Sequence, residues 1–276
     1  MSGLRLPKKL LALTSTLFIS SMSYAAVQPE SGYGFPRDVS VEGERIDWLL
    51  NVTNGFAALL FVVMVVWMGI AIFKHNRNHT PDYDYGTSKH SVYTACVVSA
   101  LIFFVVDGNL FYNSIIDVNE IFWNYGAAET EETVRIEVNG RQWAWSMRYP
   151  GPDKMFNTKD DIVTLNDMRV PVNKPVSLQL GAIDVIHSFF LPNLRIKNDA
   201  MPGMINRLWF EAKETGEFDI ACTQHCGTYH YKMKGKLTIL EQDDYDAWLK
   251  EAQINSERDY DETDAQAHWG WKWREM

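Results

Sequence analysis

The chain has 276 residues, 46% hydrophobic and 22% charged, which on average describes a soluble protein of one large domain or two modest ones. Its 26 basic and 35 acidic side chains leave a formal charge of −9. That balance excludes a nucleic-acid partner, because neutralising phosphates needs a basic surface, and it favours a cationic one. Three cysteines are too few for a disulfide scaffold.

Along the chain the average divides. Arg5, Lys8 and Lys9 precede the apolar stretch Leu10 to Ile19, and small residues follow at Ser23 and Ala25. This layout predicts a secretory signal peptide over residues 1–25, cleaved after Ala25 or Ala26, with a short uncleaved anchor as the alternative. Residues 26–47 are then an outward-facing N-terminal segment. From Phe56 to Phe73 every residue is apolar or glycine, so a first membrane span runs from about Trp48 to Phe73. A second runs from about Val92 to Ile115, and the two make a two-helix anchor over residues 48–117. The second span is weaker, with Asp107, Asn109, Tyr112 and Asn113 near its end, as expected of a helix that leans on another membrane protein. Asp107 reads either as the border of an ion path or as an interfacial group paired with a neighbour. Lys74, Arg77 and Lys89 hold the connecting loop in the cytoplasm, so both flanks face the periplasm or its equivalent, an oxidising compartment.

From Thr133 the chain predicts short strands: Val134–Val138, Gln142–Met147, Ile162–Leu165, Val176–Leu180, Val185–Phe190, Arg207–Phe210, Phe218–Ala221 and Lys236–Leu240. Asn139-Gly140 is a hairpin signal between the first two. Closely spaced strands of this kind predict an antiparallel sandwich or barrel over residues 118–242. Residues 243–276 follow as a helix, begun by Asp243 and Asp244 and carrying Tyr245, Trp248 and Leu249, and then a tail from Asn255 ending in His268, Trp269, Trp271 and Trp273. The tail reads as flexible, its aromatic tip available to a partner or the membrane interface.

The densest chemistry lies between Cys222 and Met233. Two thiols, the His230 imidazole and a thioether fall within twelve residues, a soft donor set that suits copper better than calcium or magnesium. His187, flanked by apolar residues, comes from an earlier strand and completes the set. A small-loop disulfide between Cys222 and Cys226 and a zinc site remain alternatives, although methionine is a poor zinc ligand. His225 reads as a solvent-facing loop residue.

The pattern Cys-x-x-x-Cys-Gly-x-x-His-x-x-Met, preceded by Asp-Val-x-His-Ser-Phe and Gly-x-Gln-Trp-x-Trp, resembles subunit II of the haem-copper cytochrome c oxidases from about Trp48 to Leu240. The resemblance implies a transmembrane helical hairpin followed by an all-β cupredoxin-like Greek-key sandwich that carries a binuclear copper centre, CuA. Cys222 and Cys226 would bridge two coppers, His187 and His230 would each bind one, and Met233 and the Gln224 carbonyl would be weak ligands. Trp143 would receive electrons from cytochrome c or a membrane-bound haem c donor. Asp184, by the motif match, would steer that donor; Asp160, Asp161 and Asp167 are further candidates from their acidity alone, with a plain solvated face as the alternative. The partners implied are the lipid bilayer, oxidase subunit I and the other oxidase subunits.

Two positions depart from the family. Gln224 stands where a glutamate usually contributes to a magnesium site, and an amide lacks the charge a hard cation prefers. Tyr93 stands where the family carries a glutamate associated with proton entry. A copper-bearing subunit of a nitric oxide reductase and a membrane-tethered copper assembly protein are therefore carried as alternatives.

Overall fold

The computed structural model describes residues 35–75, 77, 79–80, 83 and 85–258. The signal peptide expected over residues 1–25 and the tryptophan-rich tip of the tail lie outside them. Two long helices come first, α1 (Gly43–Lys74) and α2 (Lys89–Phe122). Ser88 caps α2, its side chain accepting from the Ser91 N–H at 3.0 Å. π-helical turns interrupt α2 at Ile102–Asp107 and Val118–Phe122. With 32 and 34 residues, each helix reaches roughly 50 Å at about 1.5 Å per residue, more than the roughly 30 Å of a bilayer's hydrocarbon. Their apolar stretches are not covered by the other described residues, which suits helices meant to face lipid or other spans.

The turns beyond the apolar stretches fix the hairpin to the domain. Arg45 Nε donates to Asp117 Oδ1 at 2.7 Å, joining α1 to α2. Arg195 holds both oxygens of Asp47, at 2.6 and 3.0 Å, in a two-pronged bond that sets orientation as well as distance. The Trp209 indole N–H donates to the Ile121 carbonyl at 2.7 Å.

The domain is a sandwich of two five-stranded sheets. One contains β1 (Val134–Arg141), β2 (Ala144–Tyr149), β3 (Ile162–Leu165), β5 (Pro175–Ala182) and β8 (Asn206–Glu211), in the order β3-β2-β1-β5-β8. The other contains β4 (Asp167–Pro171), β6 (His187–Leu191), β7 (Ile196–Ala200), β9 (Gly216–Cys222) and β10 (Lys234–Leu240), in the order β4-β10-β9-β6-β7. Alternation explains the core: Val176, Leu178 and Leu180 of β5 point inward with no exposed surface and meet Trp145, Met147, Phe189 and Leu237. Each such side chain contributes about 1.5–3 kcal/mol by leaving water.

Four sequence expectations are corrected. The sheets are mixed, because β1 pairs with β5, and β4 with β10, in parallel as the chain passes from sheet to sheet. Strands β4 and β7 escaped the sequence pattern; β7 turns only Ile196 and Ala200 fully inward among polar residues. Asn139-Gly140 is no turn: both residues stay in β1 and pair with Ser146 and Trp145, and the chain reverses at Gln142-Trp143. Helix α3 (Gln242–Arg258) runs past Asn255, where the tail was expected to begin. It buries Tyr245 and sets Trp248 edge-on to Tyr149, with ring centres 5.3 Å apart.

Candidate metal centre

Three parts of the sandwich converge at one end: the β1–β2 turn, the start of β6, and the loop between β9 and β10. Strand β6 pairs with β9 through Phe189 opposite Cys222 and Phe190 opposite Ala221, so His187 is carried to the edge beside Cys222. The loop closes on itself, since the Cys222 N–H donates to the Met233 carbonyl at 3.2 Å and the Thr223 N–H to the Ser188 carbonyl at 3.1 Å. Within it the His230 N–H donates to the Gly227 carbonyl at 3.1 Å. Gly227 has φ +123°, and a Cβ there would come within 2.9 Å of Gln142 Nε2, so glycine is required both for the backbone angle and for the close approach.

The donor atoms gather tightly. Cys222 Sγ and Cys226 Sγ are 3.8 Å apart, Cys226 Sγ lies 3.6 Å from His230 Nδ1 and 3.7 Å from Met233 Sδ, and Cys222 Sγ lies 3.3 Å from the Gln224 carbonyl oxygen. The ligand atoms of His187, Cys222 and Cys226 all fall within 4.8 Å of one another. Both cysteines are free thiols in this structure.

His187 has no exposed surface. Its Nε2 donates to Asp184 Oδ1 at 2.9 Å, while its Nδ1 is buried without a hydrogen-bond partner among the described residues. A buried ring nitrogen without a partner is costly in water-free surroundings and is the atom left to bind a metal. The carboxylate behind the ring is the arrangement that fixes a ligand histidine's tautomer.

The charges follow from the same contacts. Burial opposes ionisation of Cys222, but the His187 imidazole, the Ser188 backbone and His230 outweigh it and move the thiol well below its ordinary value. Burial and the Cys222 charge push Cys226 the other way. One thiolate forms readily and suppresses the second, as two like charges in one pocket must. A soft cation between them would remove that repulsion.

The structure therefore gathers Cys222, Cys226, His187, His230, Met233 and the Gln224 carbonyl. The Gln224 and His225 side chains are exposed, and the His225 ring lies edge-on to His230 at 5.5 Å. Trp143 lies in the β1–β2 turn, half-buried, with its ring edge-on to Tyr229 at 4.8 Å, while Trp145 is fully buried against His187 and Phe189. Of the four acids expected on a docking face, only Asp184 is brought to the site. Both of its oxygens are engaged there, Oδ1 by His187 and Oδ2 by the Gln142 N–H at 2.7 Å. Asp161 is corrected outright: it is 7% exposed, accepts from the Asn157 and Thr158 N–H groups and pairs with Arg148 at 3.5 Å. Asp167 pairs with Arg169 at 3.0 Å, and Asp160 accepts from the Asp153 N–H.

Two residues that position the site were not singled out from the sequence. Gln142 donates from its backbone to Asp184 and from Nε2 to the Cys226 carbonyl at 2.7 Å. Gly140 lets the His187 ring approach, since a Cβ would lie 3.0 Å from His187 Cδ2 and 3.1 Å from the Trp145 ring. Their place just before Trp143 was the available signal.

A β-sandwich that gathers two thiols, a thioether and two imidazoles at one end, tethered by a hairpin of membrane-length helices, is a membrane-anchored cupredoxin-like domain. Residues 134–239 match the family model described as cytochrome c oxidase subunit II, periplasmic domain. The alternative cytochrome c oxidase subunit 2 of Bradyrhizobium diazoefficiens is 28% identical over 75% of this chain and 79% of its own length. Cytochrome c oxidase subunit 2 of Cereibacter sphaeroides is 27% identical over 80% of each. The crystal structure of the periplasmic domain of subunit II of cytochrome oxidase from Bradyrhizobium japonicum is 31% identical, covering 44% of this chain and 94% of that one, with a TM-score of 0.40. Residues 134–239 are thus similar to the periplasmic domain of cytochrome c oxidase subunit II, and three quarters or more of the chain is similar to whole oxidase subunits 2.

Proposed function

We propose that this chain is the electron-entry subunit of a haem-copper terminal oxidase. It would take electrons from cytochrome c, or from a membrane-bound haem c donor, at a binuclear copper centre and deliver them to subunit I, where oxygen is reduced. Cys222 and Cys226 would bridge the metals, His187 through Nδ1 and His230 would each hold one, and Met233 and the Gln224 carbonyl would complete the set. When bound, the copper pair supplies a one-electron relay that makes and breaks no bonds of its own. The neutral Gln224 amide offers no charge to a magnesium ion, so magnesium is left out of this reading.

The chain's own residues supply a rigid, dry frame. His187, Cys226 and Met233 are buried, and the Asp184–Gln142–Cys226 links tie the two loops together, so little has to rearrange when charge changes. Trp143 lies between the surface and the Cys226–Gly227 backbone, where an aromatic ring offers an entry point. The basic loop of Lys74, Arg77 and Lys89 supports an orientation with the sandwich outside a bacterial inner membrane.

The observation that carries this reading is the convergence of two free thiols, a thioether, His230 Nδ1 and the partnerless His187 Nδ1. Purified chain loaded with copper is expected to hold two coppers and show one unpaired electron shared over both. A single copper with an ordinary four-line spectrum overturns it.

A further inference from the structure

The outer ends of α1 and α2 form an open pocket of about 620 Å³, lined by Glu42, Arg45, Asn113, Ile116, Asp117 and Glu120 among others. None of these residues belongs to the thiol and imidazole cluster. Asp117 is 6% exposed, and among the described residues only one of its oxygens is satisfied: Oδ1 accepts from Arg45, whereas Oδ2 is buried and has no hydrogen-bond partner. Arg45 is already committed, donating from Nη2 to Asn113 Oδ1 at 2.8 Å and lying 4.6 Å over the Trp48 ring. Three carboxylates thus face one guanidinium. Burial, with a smaller contribution from the neighbouring Glu211 carboxylate, holds the Glu42 carboxyl above its ordinary range.

The pocket therefore calls for a cation that can donate a hydrogen bond. Its acids do not converge on a point: among the described residues, the one group of His, Cys, Asp or Glu side chains close enough to hold a metal ion is His187, Cys222 and Cys226. A volume in the range of small-molecule sites fits an organic cation better than a bare ion. Trp48 and Trp123 are exposed at this end of the hairpin, and indole rings at the ends of spans mark the level of lipid headgroups.

We propose that this pocket binds the headgroup of a phospholipid carrying a primary ammonium, as in phosphatidylethanolamine, with an N–H donating to Asp117 Oδ2. A choline headgroup has the charge but no N–H to offer the orphaned oxygen. A glycerol headgroup brings only negative charge to a site already rich in it. The order of retention is then ethanolamine, choline, glycerol.

The test uses the full chain in bilayer discs of equal phosphatidylethanolamine, phosphatidylcholine and phosphatidylglycerol, released into mild detergent and weighed intact by mass spectrometry. The expected result is one retained phosphatidylethanolamine, enriched about tenfold over phosphatidylcholine. Asp117→Asn is expected to bring that enrichment close to one. Because it also disturbs the Arg45 pair, exposed Glu120→Gln is the second variant, expected to lower the enrichment several-fold with the helix content unchanged. Equal retention of the three lipids, preference for the anionic one, or enrichment indifferent to both variants overturns the proposal. So does a cross-link from position 120 to a partner polypeptide in the assembled oxidase with no lipid retained, which would make the occupant a protein side chain.

Discussion

His187 and Asp184 form a fixed pair in which Nε2 of the buried imidazole donates to Oδ1 of the carboxylate at 2.9 Å, turning Nδ1 toward the thiols. Asp184 thereby acts on the site through His187. Removing it with Asp184→Ala leaves the ring free to rotate and lowers its basicity, so copper affinity is expected to fall about 10–100-fold, the usual cost of losing a carboxylate behind a ligand histidine. Competition with a copper chelator measures this. Unchanged affinity would show that packing against Trp145 alone orients the ring.

The same pair makes the metal-free protein's stability depend on pH in two directions. Burial disfavours the charge on Asp184, but the Gln142 N–H and His187 outweigh it and hold the carboxyl below its ordinary 3.8. Burial likewise disfavours a charged His187, yet the Cys222 and Asp184 contacts raise it above its ordinary 6.5. A depressed acid contributes stability above its unfolded value and loses it as pH falls through the folded one. A raised histidine contributes fully below its unfolded value and loses it as pH rises through the folded one. The difference in melting temperature between the wild type and Asp184→Ala, both without copper, is therefore expected to be largest near pH 5, from about 1–2 kcal/mol, and to shrink toward pH 3 and pH 9. A flat difference across that range refutes the coupling.

Gly140→Ala tests the close approach behind His187. The added Cβ would lie 3.0 Å from the imidazole and 3.1 Å from the Trp145 ring, both fully buried, so the ring must move or the sheet must give. Overpacking of this kind costs about 1–3 kcal/mol. Because the ring is the softer of the two, the copper spectrum is expected to change more than the melting temperature. Circular dichroism and electron paramagnetic resonance of the same sample separate the two effects.

The parts of the centre differ in how far the sequence revealed them. Cys222, Cys226, His230 and Met233 lie within twelve residues, and such density of soft donors has few structural reasons, so they were legible together. His187 was legible only beside that loop, since a lone histidine in an apolar strand looks like any core residue. The spans were legible because hydrocarbon demands a continuous apolar run, whereas β7 was not, since Ile196-Lys197-Asn198-Asp199-Ala200 is held by its neighbours more than by its own pattern. Asn139-Gly140 misled for a tertiary reason: the glycine is needed for the space it leaves to His187, and local turn propensity has no access to that. Acids were the least legible of all, because Asp161 looks like a surface charge until Arg148 is placed beside it.

That arginine offers a test of the sandwich independent of metal. Arg148 is 2% exposed and pairs with the buried Glu137, with Asp161 as its second acid. Arg148→Met removes the cation and leaves two buried carboxylates facing each other, and breaking such a cluster from one side is expected to cost about 3–5 kcal/mol. Glu137→Gln leaves Arg148 with Asp161 and should cost less. Chemical denaturation of the two variants at pH 7 checks the order, and a reversal would mean that Glu137 alone neutralises the site.

Gln142 and Trp143 are adjacent, yet they are expected to fail in different ways. The Gln142 side chain holds the Cys226 carbonyl at 2.7 Å, and its backbone N–H, which a substitution keeps, holds Asp184. Gln142→Ala therefore loosens the cysteine loop alone, a loss of about 1 kcal/mol, and should hasten copper release several-fold. The Trp143 ring touches Tyr229 and the Gly227 backbone, and no hydrogen bond from its indole Nε1 holds the loop. Trp143→Ala should leave copper content and spectrum intact and slow the oxidation of reduced cytochrome c by the assembled oxidase at least tenfold, with Trp143→Phe in between. Stopped-flow measurement of that oxidation decides it: if Trp143→Ala loses copper in step with activity, or keeps full activity, the tryptophan is a packing residue and electrons enter elsewhere.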